Sequence, residues 1–225
     1  MNPRERVASA RARGRLQAVT IDAAGTLVHP RESIAATYAE LAKGFGASAS
    51  SAAIAAALRP AMARHRGLRA VDPAWRAYWA AVIADTTGVD VPGLTDALLD
   101  HFAGAKAWRV ADGALACVQS LRQVGLRVGV LSNWDLRLHG TLAALGIAEA
   151  FDAVMSSAEL GCEKPDPQAF ERAASRLRAP VAELVHVGDD DEDDIIGATG
   201  AGAMALHIVR DAGGFDGLAS LLRGA

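Results

Sequence analysis

From Asp112 onward the chain alternates helical stretches with apolar runs of four to six residues, and this rhythm limits the fold more than any other feature. Helix is expected over Gly113–Val124, Leu136–Leu145, Pro167–Leu177 and Glu192–Ala201. Strand is expected over Arg127–Leu131, Ala153–Met155, Leu184–Val187 and Ala203–Ile208. Short strands that are apolar throughout are buried on both faces, which is the signature of a parallel sheet covered by helices. A further run, Ala18–Ile21, ends at Asp22 and must join the same sheet, because a lone strand cannot bury itself. The expected fold class is α/β, with a doubly wound, mostly parallel sheet.

Between these parts, from Glu32 to about His101, the pattern is helical and rich in alanine. Breaks near Gly44–Ser50, Gly67–Pro73 and Gly88–Gly93 divide it into four helices with no strand among them. The expected organisation is a core of residues 16–31 and 106–225, interrupted by a helical module of residues 32–105. Within that module, Asp72–Asp85 spaces Trp75, Tyr78, Trp79 and Val82 along one helix face, a stripe that serves packing or lines a pocket. Ahead of the core, residues 1–15 carry Arg4, Arg6, Arg11, Arg13 and Arg15 among few apolar residues. They read as a solvated, partly frayed basic arm without function.

Composition excludes several classes of function. Of 225 residues, 51% are hydrophobic, enough for a sizeable core, yet no stretch approaches the roughly 20 uncharged apolar residues of a membrane span. No secretory h-region stands at the start. Two cysteines, Cys117 and Cys162, without metal-type spacing point to a reduced, cytoplasmic setting. A net charge of −3 gives no reason to expect nucleic acid as a partner, and nothing in the sequence sets an oligomeric state.

In open α/β sheets, ligands bind beyond the carboxyl ends of the strands. Four polar clusters fall at those ends or in the loops beside them: Asp22-Ala23-Ala24-Gly25-Thr26, Ser132-Asn133, Lys164-Pro165, and the acidic run Gly188-Asp189 through Asp194. A carboxylate followed by a glycine turn can meet a phosphoryl group or a cation. Ser132 can donate to a phosphate oxygen, and Lys164 offers a mobile cation. Asp189 supplies the hard oxygen that Mg²⁺ prefers. With three lysines against twenty arginines in the chain, the position of Lys164 beside Pro-Asp-Pro is pointed.

In this order the four clusters resemble the motifs of the haloacid dehalogenase-like hydrolase superfamily, in the subclass with a helical cap inserted after the first motif. The matching segments are Ile21-Asp22-Ala23-Ala24-Gly25-Thr26-Leu27, Leu131-Ser132-Asn133, Glu163-Lys164-Pro165-Asp166-Pro167, and Val187-Gly188-Asp189 with Asp194 and Gly197-Ala198 beyond. The resemblance implies an Mg²⁺-dependent hydrolase of a small phosphorylated metabolite. Asp22 would be the nucleophile that forms an aspartyl-phosphate, with Lys164 stabilising it. Thr26, Ser132, Asn133 and Lys164 would surround the phosphoryl group, and Asp22, the Ala24 carbonyl, Asp189 and Asp194 would form the metal site.

Ala24 departs from the pattern. The family's phosphatases carry there a second Asp that protonates the leaving oxygen, and a methyl group cannot do so. His29 is the nearest substitute acid, although an ordinary solvated histidine is the simpler reading. Two other functions follow from the same resemblance. One is carbon–phosphorus bond cleavage like that of phosphonoacetaldehyde hydrolases, which needs a cap lysine and here has only Lys43 and Lys106 to draw on. The other is a non-catalytic descendant that binds a phosphorylated ligand.

Overall fold

Every strand expected from the sequence joins one parallel sheet. The structure, a computed structural model, describes residues 2–69 and 74–223. The first helix, α1 (Pro3–Ala12), leads into β1 (Ala18–Ile21), and β1 is followed by β2 (Val28–Pro30). Four helices come next: α2 (Ile34–Lys43), α3 (Ser51–His65), α4 (Ala74–Thr87) and α5 (Pro92–Ala103). Then come β3 (Trp108–Val110), α6 (Ala114–Gln123), β4 (Arg127–Ser132), α7 (Arg137–Ala144), β5 (Ala153–Ser156), the short α8 (Ser157–Leu160) and α9 (Pro167–Arg176). The chain closes with β6 (Leu184–Gly188), a π-helical turn (Asp191–Ile196) running into α10 (Gly197–Gly200), β7 (Met204–His207) and α11 (Gly214–Arg223).

The strands lie in the order β5-β4-β1-β6-β7, all parallel. The central β1 sets Val19 beside Val128 on one neighbour and Val185 on the other. Its side chains alternate between faces, as a pleated strand requires. Val19 and Ile21 pack with Val7, Leu121, Leu138 and Leu218 on one side of the sheet. Ala18 packs with Phe170, Ala173 and Ala198 on the other. Because β1, β4 and β6 run in parallel, their carboxyl ends bring Asp22, Ser132 and Asp189 to one edge.

The four-helix insertion breaks between α2 and α3 and between α4 and α5 as expected, while residues 70–73 of the expected break Gly67–Pro73 lie outside the described residues. Asp72, where the stripe-bearing helix was expected to begin, lies outside the described residues. Within α4, Trp75, Tyr78 and Val82 are buried together with Ala61, and Trp79 packs against them. The insertion is entered through β2 and left through β3, which pair antiparallel with Val28 opposite Val110. At three residues each, these strands are too short to leave a pattern in the sequence.

The expectation of a frayed basic arm is not met. Residues 3–12 form a helix closed by a capping box, with the Glu5 backbone N–H donating to Asn2 Oδ1 at 2.8 Å. Val7 is fully buried, and Arg11 donates from Nε to the Leu222 carbonyl at 2.7 Å and from Nη2 to that of Val124 at 3.2 Å. Buried Val7 and Ala10, together with the guanidiniums of Arg11 and of Arg4, which donates to the Asp211 carbonyl at 3.0 Å, dock a helix whose sequence is otherwise polar.

Candidate active site

Asp22 stands one residue beyond the central strand, its backbone N–H bonded to the Val187 carbonyl at 2.8 Å. The chain then turns sharply through Gly25, whose φ of 93° suits glycine. A Cβ at Gly25 would also lie 2.5 Å from an oxygen of Asp189, so the missing side chain is what admits that carboxylate. Thr26 Oγ1 donates to Asp189 Oδ1 at 2.8 Å and fixes it from the other side.

Lys164 reaches into this cluster from the loop before α9. It is 2% exposed, and its Nζ donates to Asp22 Oδ1 at 2.6 Å and to Asp194 Oδ1 at 2.5 Å. Asp194 is also buried; its Oδ1 meets His186 Nε2 at 3.0 Å and its Oδ2 accepts the Asp190 N–H at 3.0 Å. The π-helical turn carries Asp194 into this position. Asp190 caps the turn by accepting the N–H groups of Glu192 and Asp193, each at 2.9 Å. A Cβ on Gly188 would lie 2.0 Å from Asp194 Oδ2, so the glycine before Asp189 is required by this approach. A regular helix over Glu192–Ala201, as the sequence suggests, is replaced by a wide turn followed by a single α turn, a common device at functional sites.

The protonation states follow from burial and charge. Burial raises the pKa of Asp22 to about 7, with Lys164 opposing the shift and Asp194 adding to it. Burial also works against the charge on Lys164, but its two carboxylates outweigh that and hold its pKa above the ordinary lysine value. Asp194 resists burial through Lys164 and the His186 hydrogen bond, and stays well below the usual carboxylate range. Burial lowers the His186 pKa, so the ring is neutral. An ionised Asp194 only accepts, so the Nε2 of His186 carries the proton and Nδ1 accepts from Thr20 Oγ1, 2.9 Å away.

The structure sorts the residues expected at the site. Asp22, Asp189 and Asp194 offer oxygens within 4.8 Å of one another, and Ala24 lies in the turn beside them. Ser132 is buried at the end of β4. Thr26 and Asn133 were expected around a phosphoryl group, but their polar atoms are committed to protein partners. Thr26 holds Asp189. Asn133 Oδ1 accepts the Lys164 N–H at 2.8 Å, and its Nδ2 donates to the Lys164 carbonyl at 2.8 Å and to Asp193 Oδ2 at 3.1 Å. Both side chains are thus bonded to Asp189, Asp193 or the Lys164 backbone. His29 lies in β2, where burial and then the Arg109 charge lower its pKa, which leaves little imidazolium to serve as an acid.

Sequence reasoning missed three contributors. Arg66, just after α3, crosses from the insertion to the core: Nε donates to Glu163 Oε1 at 2.9 Å, and Nη2 to the Lys164 carbonyl at 2.9 Å and Asp193 Oδ1 at 2.7 Å. Arg137 makes a second crossing, to the Leu99 carbonyl at 2.8 Å, while its other donors pair with Asp135. His186 supports Asp194 from within β6. Nothing separates Arg66 or Arg137 from eighteen other arginines by pattern; a histidine inside an otherwise apolar strand was the one visible signal.

At the carboxyl ends of its central strands the parallel α/β sheet thus carries a lysine-bridged carboxylate cluster. The chain belongs to the haloacid dehalogenase-like hydrolases, whose family model matches residues 16–202. It is 31% identical over 210 residues to mouse haloacid dehalogenase-like hydrolase domain-containing protein 3, covering 86% of this chain and 82% of the relative. A shorter match, 39% identical over 94 residues, links 41% of this chain to 40% of a glyceraldehyde 3-phosphate phosphatase from Methanopyrus kandleri. Among solved structures, an L-2-haloacid dehalogenase superposes with a TM-score of 0.74 at 21% identity, covering 93% of this chain and 99% of that one. At that identity the likeness concerns the fold alone. Among the described residues, no helix is long and apolar enough to cross a membrane.

Proposed function

We propose that this protein is an Mg²⁺-dependent phosphoryl-ester hydrolase acting on a small phosphorylated metabolite through an aspartyl-phosphate on Asp22. The carrying observation is the pairing of buried Lys164 with buried Asp22 and Asp194, with the exposed Asp189 carboxylate beside them, so that three carboxylates gather around one ammonium group. That excess of negative charge, on hard oxygen donors, fits a divalent cation of the Mg²⁺ type. Asp22, Asp189 and the Ala24 carbonyl are the residues to hold it. Asp194 has both oxygens engaged by Lys164, His186 and the Asp190 N–H, which makes it the residue that orients Lys164. Bound there, Mg²⁺ supplies positive charge that keeps Asp22 ionised and eases the approach of an anionic phosphoryl group.

The chain's own groups then divide the work. Asp22 attacks phosphorus with one carboxylate oxygen. Lys164 holds that carboxylate in place and offsets the charge that develops on the transferred group. Ala24 offers no proton to the leaving oxygen, so the ester bond breaks with its electron pair on that oxygen alone. Water then attacks phosphorus, releasing inorganic phosphate and restoring Asp22. The carbon–phosphorus alternative finds no support, since Lys43 pairs with Glu40 on the surface and neither Lys43 nor Lys106 lines the cavity described below.

The test is phosphate release from acetyl phosphate, a small substrate with a good leaving group. Hydrolysis should require Mg²⁺, stop on chelation and be absent in Asp22→Asn. Equal release by Asp22→Asn, or none from the wild type, would reject the reading.

A further inference from the structure

Beside the charged cluster lies a cavity of a different character. It has a volume of about 170 Å³ and runs from Ala24, Asn133 and Trp134 on the core into the helices of the insertion. All four tryptophans of the chain, Trp75, Trp79, Trp108 and Trp134, line it, although they come from separate segments of sequence. Among the described residues, every lining residue apart from Asn133 and Arg137 is apolar or aromatic, with the Tyr38 hydroxyl and the indole N–H groups as the remaining polar atoms. Neither exception leaves a free charge: Arg137 is paired with Asp135 and bonded to the Leu99 carbonyl, and Asn133 is committed to the Lys164 loop and Asp193. A polyhydroxylated group entering this space would lose its water and find few partners, at a cost for each unpaired hydroxyl. An apolar group would gain from the same transfer.

Size narrows the choice. A dry apolar cavity of roughly 150 Å³ is known to accept benzene, so this volume suits one aromatic ring. Aromatic walls also favour an aromatic guest, through offset and edge-to-face contacts. Ala24 gives an independent reason for the same class. With no acid at that position, the leaving oxygen must depart as an anion. A phenolic oxygen, whose ordinary pKa is about 10, does so far more readily than an alkoxide.

Building on the hydrolase reading above, we propose that the substrate is a phosphate monoester of a single-ring phenol, with the uncharged aryl group seated among the four tryptophans. The Asp22 oxygen bonds to phosphorus as the bond from phosphorus to the aryl oxygen breaks. The electron pair leaves on the phenolate, which takes its proton from solvent. Hydrolysis of the aspartyl-phosphate then returns the carboxylate and inorganic phosphate.

The experiment compares kcat/KM for phenyl phosphate, cyclohexyl phosphate, glucose 6-phosphate and acetyl phosphate, and follows tryptophan fluorescence during titration with phenol and, separately, glucose. Phenyl phosphate should exceed glucose 6-phosphate by about 100-fold or more. Cyclohexyl phosphate should fall between them, because it fits the cavity but leaves as an alkoxide. Phenol should perturb the fluorescence saturably, and glucose should not. Met62, in α3, lines the cavity. Met62→Gln should lower the phenyl-to-acetyl phosphate ratio of kcat/KM about tenfold, whereas Met62→Leu should keep it within about twofold. If glucose 6-phosphate is turned over as well as phenyl phosphate while Asp22→Asn is inactive, the hydrolase reading survives and the substrate class is wrong. Absence of any fluorescence response to phenol overturns the aryl pocket even where acetyl phosphate is hydrolysed. Failure on acetyl phosphate itself defeats the parent reading and this ester with it.

Discussion

The two walls that meet at Ala24 are built on opposite principles. On the core side, charged groups are buried and matched: Lys164 holds Asp22 and Asp194 within 2.6 Å, and His186, Thr20 and Asp190 support them from behind. On the other side, two tryptophans of the insertion (Trp75 and Trp79), two of the core (Trp108 and Trp134) and their aliphatic neighbours form a mostly apolar lining among the described residues. A charged floor can act on a phosphoryl group whatever is attached to it, whereas an apolar roof selects what is attached. The contrast teaches that reaction and selectivity are separable here, and that single substitutions should disturb one without the other.

The largest effect is expected on the floor. Lys164→Met leaves two buried carboxylates facing each other without a counter-charge. Breaking a buried pair of this kind costs about 3–5 kcal/mol. Urea denaturation without metal should show a loss of that order, and turnover of every phosphate ester should vanish. A stability change below about 1 kcal/mol would mean that the cluster does not depend on its lysine.

Next comes Ala24→Asp, which joins the two principles by placing a carboxyl group where the walls meet. It should raise turnover of alkyl phosphates by about 10²-fold by supplying the missing proton. It should also narrow the preference for aryl esters, both because the leaving group matters less and because a charge now borders the roof. Steady-state kinetics on matched aryl and alkyl esters measure both changes. No gain on alkyl esters would show that another group already supplies the proton.

A smaller effect is expected where the insertion grips the floor. Arg66→Ala removes hydrogen bonds to Glu163, the Lys164 carbonyl and Asp193. Catalytic efficiency should fall about tenfold through loss of positioning. Stability should change by only about 1 kcal/mol or less, because the Arg66 side chain is 35% exposed. Arg66→Lys should recover part of the activity but not all, since an ammonium group cannot reproduce the fork that reaches three acceptors.

The smallest is a matter of pH. Burial raises Asp22 to about 7 in the metal-free protein, while an unfolded aspartate titrates near 3.9. The fold therefore favours the protonated carboxyl, and stability present below the unfolded pKa is lost as pH rises through the folded one. Asp22→Asn removes this loss. The metal-free variant should melt a few degrees above the wild type at pH 8, with the difference disappearing toward pH 4. Saturating Mg²⁺ should reverse the order by stabilising the wild type more than the variant. Parallel melting curves at all pH values would contradict the electrostatic account of the floor.

Legibility in the sequence divides along the same line. The floor was readable because strand ends in a parallel sheet have only one place to go. Once Val19, Val128 and Val185 are assigned to adjacent strands, Asp22, Ser132 and Asp189 must meet. The roof was not readable. The stripe of Trp75, Tyr78 and Trp79 is visible within one helix, but its meeting with Trp108 and Trp134 depends on how the insertion docks. Among the contacts that dock it, those of Arg66 and Arg137 come from residues no local pattern distinguishes. The helix at residues 3–12 escaped for a related reason, since Val7 and Ala10 are too few to mark a face. The protein partners of Thr26 and Asn133 were hidden because a side chain that can donate to phosphate can equally donate to a neighbouring carboxylate or carbonyl.

The most direct test of the central claim is to find the phosphoryl group on its acceptor. The protein should be mixed with acetyl phosphate and Mg²⁺, quenched in acid within a turnover, digested and examined by mass spectrometry. The account predicts a phosphorylated peptide whose modification maps to Asp22, is released by hydroxylamine as an acyl phosphate would be, and is absent from Asp22→Asn. Sustained phosphate release with the modification on another residue would contradict it.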